Sequence, residues 1–147
     1  KEYDESNCRT IMLFVLDRKD AEVSHLCPEI DNEWYHLQDE IDYFNSIINW
    51  SNMWDLHEAH RRLDNGWKLY IFKPDETIKG WMWLNTNNKE VCNGYVNPLY
   101  RNKGIGVELT NSAHRDCLDW EKWWCQSEDW NKPAQQMIIN CNYKMIL

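Results

Sequence analysis

The chain has 147 residues, 43% hydrophobic and 27% charged, a balance that suits one compact domain and argues against disorder. Twenty-four acidic residues against sixteen basic ones give a net charge of −8, and the basic residues form no run, which speaks against nucleic acid as a partner and leaves the acidity to serve solubility or a cationic amine substrate. Six scattered cysteines without a CxxC pair, no apolar run of membrane-spanning length and no charged-then-apolar leader lead us to expect a reducing, cytoplasmic setting with neither a disulfide framework nor a membrane partner.

Thr10 to Leu16 is a continuous apolar run of strand length, which predicts a first strand buried on both faces. From Asp31 onward Trp34, Leu37, Ile41, Phe44 and Ile48 recur every three or four residues, predicting a helix capped by Asp31 or Asn32. A second helix carries Leu56, Ala59 and Leu63 and stops at Asn65-Gly66. Trp67 to Phe72 and Ile78 to Asn85 read as an antiparallel hairpin turned by Lys73-Pro74-Asp75-Glu76-Thr77. After a polar turn at Asn87-Asn88 comes a strand from Glu90 to Val96, whose alternation puts Glu90, Cys92 and Gly94 on one face.

Arg101-Asn102-Lys103-Gly104-Ile105-Gly106 joins that strand to a helix expected from Ile105 to about Trp120, on which Ile105, Leu109, Ala113, Cys117 and Trp120 recur at helical spacing. Glycines let backbone N–H groups converge without Cβ interference. The helix then aims its first unpaired N–H groups and its positive dipole end at an anion. A pyrophosphate suits such a cradle. Trp123 to Ser127 is the next strand; strand, helix and strand in this order predict a right-handed crossover between parallel neighbours. Pro133 to Cys141 forms a short helix, and Tyr143 to Leu147 leaves room for a last strand. With no repeat or linker in view, residues 1–147 read as one domain.

The passage Val96-x-Pro98-x-x-Arg101-x-x-Gly104-x-Gly106 resembles motif A of the GNAT superfamily of acyl-CoA-dependent N-acetyltransferases, V-x-P-x-x-R/Q-x-x-G-x-G/A, with every defined position filled. The resemblance implies an α/β (α+β) fold with a mixed central sheet, element order β-α-α-β-β-β-α-β-α, a short or missing final hairpin, and parallel strands splayed at the cofactor site. It implies acetyl-CoA as acyl donor, with Arg101, Asn102, Lys103, Gly104, Ile105 and Gly106 around the pyrophosphate and backbone near Val96 pairing with the pantetheine arm. Asn131 sits where such proteins often place an asparagine after their fifth strand.

Direct attack by an amine needs a base, because an ammonium with a pKa of about 10.4 is almost fully protonated at neutral pH. Glu90 lies eleven residues before Arg101, where it resembles the general-base glutamate of certain protein-lysine-modifying members of the family. A solvated glutamate at a strand start is the competing reading. Many relatives carry an acidic tyrosine in the helix after the fifth strand; here that place falls near Ile138, Tyr143 comes later, and water is the alternative proton donor.

Of the ten tryptophans, Trp81 and Trp83 share a strand face and Trp123 and Trp124 straddle another strand, so one or two can line an amine pocket while most pack the core. His57 and His60 stand three apart, unlike the zinc-protease pattern, so we expect no metal site, and we expect His114 at the surface or its boundary. Cys92 and Cys125 sit on strands flanking the cofactor and read as small hydrophobes. Two function classes fit: an N-acetyltransferase acting on a small-molecule or protein amine, and a non-catalytic module using a tryptophan-rich surface. A homodimer partner is an option for completing a short final hairpin.

Overall fold

The computed structural model describes residues 10–30, 56–75 and 78–146; the helix expected from Asp31, two residues of the hairpin turn and Leu147 lie outside them. Within them, one mixed sheet of seven strands organises the chain, in the order β2-β3-β4-β5-β6-β1-β7. The strands are β1 (Ile11–Asp17), β2 (Glu29–Ile30), β3 (Lys68–Phe72), β4 (Gly80–Asn85), β5 (Glu90–Val96), β6 (Lys122–Glu128) and β7 (Lys144–Met145). The helices are α1 (Leu56–Asp64), α2 (Ile105–His114) and α3 (Lys132–Asn140).

Alternation along the strands sorts side chains onto two faces. On one, Phe14, Leu16, Met82, Leu84, Val91, Trp123 and Cys125 pack against Leu109 and Ala113 of α2 and Ile138 of α3. On the other, Leu69, Ile71, Trp81 and Trp83 pack with Ile30, Ala59 and Leu63. Most of the described tryptophans serve this packing, and Trp130 alone among them is exposed.

The predicted hairpin is present as β3 and β4, and β5 and β6 are parallel, as the crossover requires. Two expectations are corrected. The first strand is not buried on both faces: Phe14 and Leu16 are buried while Leu13 and Val15 stay half-exposed, because only one face of β1 is covered among the described residues. The helix after the glycine loop ends at His114, and Arg115 to Trp120 turns back on itself through Cys117 N–H to His114 O and Trp120 N–H to Cys117 O. Arg115 keeps helical dihedrals (φ −63°, ψ −30°), and its guanidinium donates to the carbonyls of Ser24 (3.1 Å) and Cys27 (2.7 Å), tying the end of α2 to the segment that follows β1. The end of the described chain is short, as expected: a two-residue strand, β7, paired with β1.

β1 does not neighbour β2. It lies antiparallel between β6 and β7, pairing Ile11 with Glu128 through Asp17 with Lys122, so the start of the described chain covers the edge of β6. Residues 18–28 then cross the end of α2 to reach β2 at the far edge. Ser24 N–H donates to the Asn111 carbonyl, and the Ser24 hydroxyl donates to the Glu108 carboxylate.

Candidate active site

β5 and β6 begin side by side and then part. Their one Cα partnership is Glu90 with Trp124, and Trp124 N–H donates to the Lys89 carbonyl at 3.1 Å. Beyond that rung the two strands diverge toward Val96 and Glu128, leaving a wedge whose open end is flanked by the starts of α2 and α3. The start of α2 faces this opening, and its positive dipole end makes it favourable for an anion.

On the β4 side, β5 carries a bulge: Trp83 partners Cys92 but Trp81 partners Tyr95, so one extra residue is spent on β5. Asn93 takes it up at φ 52°, its carbonyl accepting from Trp81 Nε1 at 2.8 Å and its Oδ1 from the Arg62 guanidinium at 3.2 Å. The strict alternation read from the sequence fails here, and Gly94 turns toward Met82, where a Cβ would come within 2.3 Å of the methionine methyl. The signal lay in Asn93-Gly94 within a strand, the dipeptide best able to adopt such a kink.

At the wedge mouth, Asn102 (φ 63°) and Gly104 (φ 79°) curl the loop through left-handed conformations. Gly104 is the N-cap of α2 and supplies no side-chain acceptor, so the first-turn N–H groups of α2 have no capping side chain. A Cβ built on Gly104 meets nothing within 4 Å, so the space over these donors is open. Gly106 serves another need: its Cβ would stand 3.1 Å from Met137 of α3, so it allows the two helices to approach. Arg101 donates from Nε to the Val96 carbonyl at 2.9 Å and lies 5.3 Å from the Tyr95 ring, tying the loop to the strand end. Lys103 sits over Tyr100 with Nζ at 5.6 Å from its ring. Asn131 accepts from Ala134 N–H at 3.2 Å and thereby caps α3 at the opposite lip.

Glu90, at the closed end, is 8% exposed, which rules out a solvated carboxylate. Its carboxylate accepts from Gln126 Nε2 at 3.2 Å and from Asn88 Nδ2 at 3.4 Å. Burial raises its pKa above the ordinary carboxylate value against the opposing pull of those two donors, making it a better proton acceptor than a surface glutamate. The nearby thiols are poor nucleophiles: burial pushes Cys92 up to about 12 and Cys125 higher still, so both stay protonated at neutral pH.

Tyr143 and His114 belong to the core. His114 is fully buried, a correction to the expected surface position, and its Nδ1 donates to the Glu22 carbonyl at 3.0 Å. That tautomer leaves Nε2 to accept from the Tyr143 hydroxyl at 2.8 Å, so the phenolic proton already has a partner. Tyr143 is 3% exposed and its pKa lies well above the usual value, again through burial. These are the surroundings of a structural pair. Sequence offered no signal for His114, since polar residues on an otherwise apolar helix face are read as boundary positions.

Burial pushes His114 down to about 4, against an unperturbed value of about 6.5. The unfolded chain therefore binds a proton that the folded chain refuses between those limits. Stability from this group is intact above about pH 6.5 and falls as the pH drops toward 4, by on the order of 3 kcal/mol. Urea melts at pH 7 and pH 4.5 check this. His114→Gln is expected to be less stable at pH 7 but to lose less than the parent on acidification, and equal acid losses in both proteins would remove His114 from the explanation.

Among the described residues no group of three metal-ligating side chains comes together, and no helix is long and apolar enough to cross a membrane. His60 is placed on α1, whereas the side chain of His57 lies outside the description.

The fold is shared with solved structures. A Drosophila protein superposes with a TM-score of 0.72 at 13% identity, over 95% of this chain and 48% of its own. An acetyltransferase from the GNAT family of Colwellia psychrerythraea gives 0.73 at 12% identity, over 94% and 53%. A GNAT-family protein from Novosphingobium aromaticivorans gives 0.66 at 13%, over 92% and 59%. The chain thus spans about half the length of the solved proteins it resembles. No curated protein matches it in sequence. The sequence profile described as the Acetyltransferase (GNAT) family matches residues 29–143, which takes in the wedge, the glycine loop and Glu90, and the chain accordingly belongs to the GNAT acetyltransferase family.

Proposed function

We propose that this protein transfers an acetyl group from acetyl-CoA to a primary amine by direct attack within a ternary complex. The observation that carries the reading is the parting of β5 and β6 after a single rung, with an uncapped helix start at the open end and a buried carboxylate at the closed end. Gly104, Ile105 and Gly106 offer main-chain donors to a pyrophosphate, with Arg101, Asn102 and Lys103 around them and Asn131 across the mouth. The pantetheine arm fits between the separated strands as a surrogate neighbour of β5, entering beside Val96 and running toward the Glu90 rung, where main-chain N–H groups of β5 can stabilise negative charge developing on the thioester oxygen.

Glu90 takes the proton that the ammonium must lose. The amine nitrogen then forms a bond to the thioester carbon as the carbon–sulfur bond breaks, and the departing thiolate, a good leaving group, is protonated from water. Protonated Cys92 and Cys125 give no support to a covalent acyl-cysteine route, which is why attack is assigned to the amine itself. The acceptor is a small-molecule or protein amine. The competing view, a non-catalytic module with a tryptophan-rich surface, draws little support from the described tryptophans, most of which lie in or against the core.

Calorimetric titration with acetyl-CoA tests the reading. Binding with a Kd on the order of micromolar, about −8 kcal/mol, is expected. Absence of heat at millimolar acetyl-CoA would return the chain to the non-catalytic class.

A further inference from the structure

On the sheet face that carries Glu90 lies a groove of about 450 Å³, and its walls are almost wholly apolar. Strand register sets the side chains around its floor. Glu90 partners Trp124 across the parallel rung, and Trp124 partners Val15 while Gln126 partners Leu13 across the antiparallel one, so these side chains share one face. Ile146 follows β7 and donates its N–H to the Leu13 carbonyl, closing the far side. Glu90 lies behind the lining and is linked to it through Asn88, which lines the groove, accepts from Trp124 Nε1 through its carbonyl at 2.8 Å, and donates to the Glu90 carboxylate.

The charge around this floor runs against that of the molecule. In a chain of net charge −8, Lys89 and Lys122 line the groove, and Lys144 stands opposite Val15 on the same face. Lys122 has only a 3.9 Å contact with the exposed Asp17, and Lys89, at φ 65°, is held in a backbone conformation that lysine rarely adopts. Apolar walls with ammonium groups at one end are complementary to a ligand that is apolar over most of its length and anionic at one end. Two strand spacings, about 10 Å, separate Glu90 from Val15 across the sheet, which is the scale of one amino acid rather than a long peptide.

We infer that this groove seats the acceptor and that the acceptor is a free α-amino acid with a large apolar side chain. Its amine lies at Asn88, next to Glu90, its carboxylate meets Lys89 and Lys122, and its side chain lies on Trp124, Val15, Leu13 and Ile146. This inference rests on the amine-acetylation reading and names that reading's substrate class.

Thiol release from acetyl-CoA, followed with phenylalanine, phenylalaninamide and phenethylamine, tests it. Phenylalanine is expected to exceed the other two in kcat/KM by about tenfold, the loss expected when a charge-assisted contact is removed. Lys122→Gln and Lys89→Gln should each raise KM for phenylalanine several-fold while leaving that for phenethylamine where it was. Calorimetry of phenylalanine against the CoA-loaded protein should show the same loss in both variants without any turnover. Equal use of the acid and the amide, or lysine variants that weaken all three amines alike, overturns the assignment, as does a groove that answers instead to acyl-chain length when octanoyl-CoA replaces acetyl-CoA. Acetyl-CoA titration of the same preparations tells two failures apart: retained affinity with no amino-acid dependence overturns the acceptor class alone, whereas lost affinity overturns the acetylation reading beneath it.

Discussion

Glu90→Gln is expected to lower kcat/KM for amine acetylation at pH 7 by about 10²- to 10⁴-fold, the usual worth of a positioned general base. Glutamine keeps the shape of the side chain; its oxygen can still accept from Asn88, and its NH2 can donate to Gln126 once that amide turns its oxygen inward, so the change removes the proton acceptor and little else. The deficit should shrink as the pH rises, because the free amine then supplies itself without a base. Stability provides an independent check. Since burial raises the folded-state pKa of Glu90, the folded chain holds that proton more tightly than the unfolded one, and ionising the group on the way to pH 7 costs stability. The neutral glutamine carries no such cost, so the variant should melt no lower than the parent. A pH–rate profile identical to that of the parent would take Glu90 out of the mechanism.

Gly104→Asp should weaken acetyl-CoA binding by at least about 100-fold, roughly 2.7 kcal/mol, while leaving the circular-dichroism spectrum unchanged. The backbone at Gly104, φ 79° and ψ 8°, is one that aspartate tolerates better than most residues, and the space a Cβ would enter is empty, so the fold has little reason to object. Aspartate is also a favoured N-cap, and its carboxylate would claim the N–H groups that a phosphate needs. Each charge-assisted hydrogen bond lost is worth about 1.5–3 kcal/mol, and a fixed negative charge is added beside the ligand. Calorimetry on parent and variant measures the difference, and an unchanged Kd would show that the pyrophosphate lies elsewhere.

What the sequence made legible divides along physical lines. The glycine loop could be read because left-handed backbone and open donors demand particular residues, and the crossover could be read because handedness leaves one solution. The depth of Glu90 could not be, since it depends on Trp124 and Gln126, which lie more than thirty positions away and reach it only through the sheet order. The bulge at Asn93 was visible in residue type but hidden by an assumption of regular alternation. The burial of His114 was invisible because its partners, the Glu22 carbonyl and Tyr143, come from opposite ends of the chain. Helix periodicity through Cys117 and Trp120 misled for a related reason: both residues do reach the core, but by way of the turns that follow His114.

The place of β1 bears on how such a molecule comes into being. As the chain leaves the ribosome, Phe14 and Leu16 emerge well before β6, so Ile11 awaits Glu128 and Val15 awaits both Trp124 and Lys144. The hairpin of β3 and β4 can form while synthesis continues; the rung that covers β6 cannot, because its partners are separated by most of the chain and the entropy of closing that loop falls due at the end. Until then β6 presents an open edge beside a tethered strand of matching register. At that stage a strand from one nascent or refolding molecule can occupy the edge of another, so the arrangement that finishes the sheet also makes strand exchange between copies its characteristic folding error.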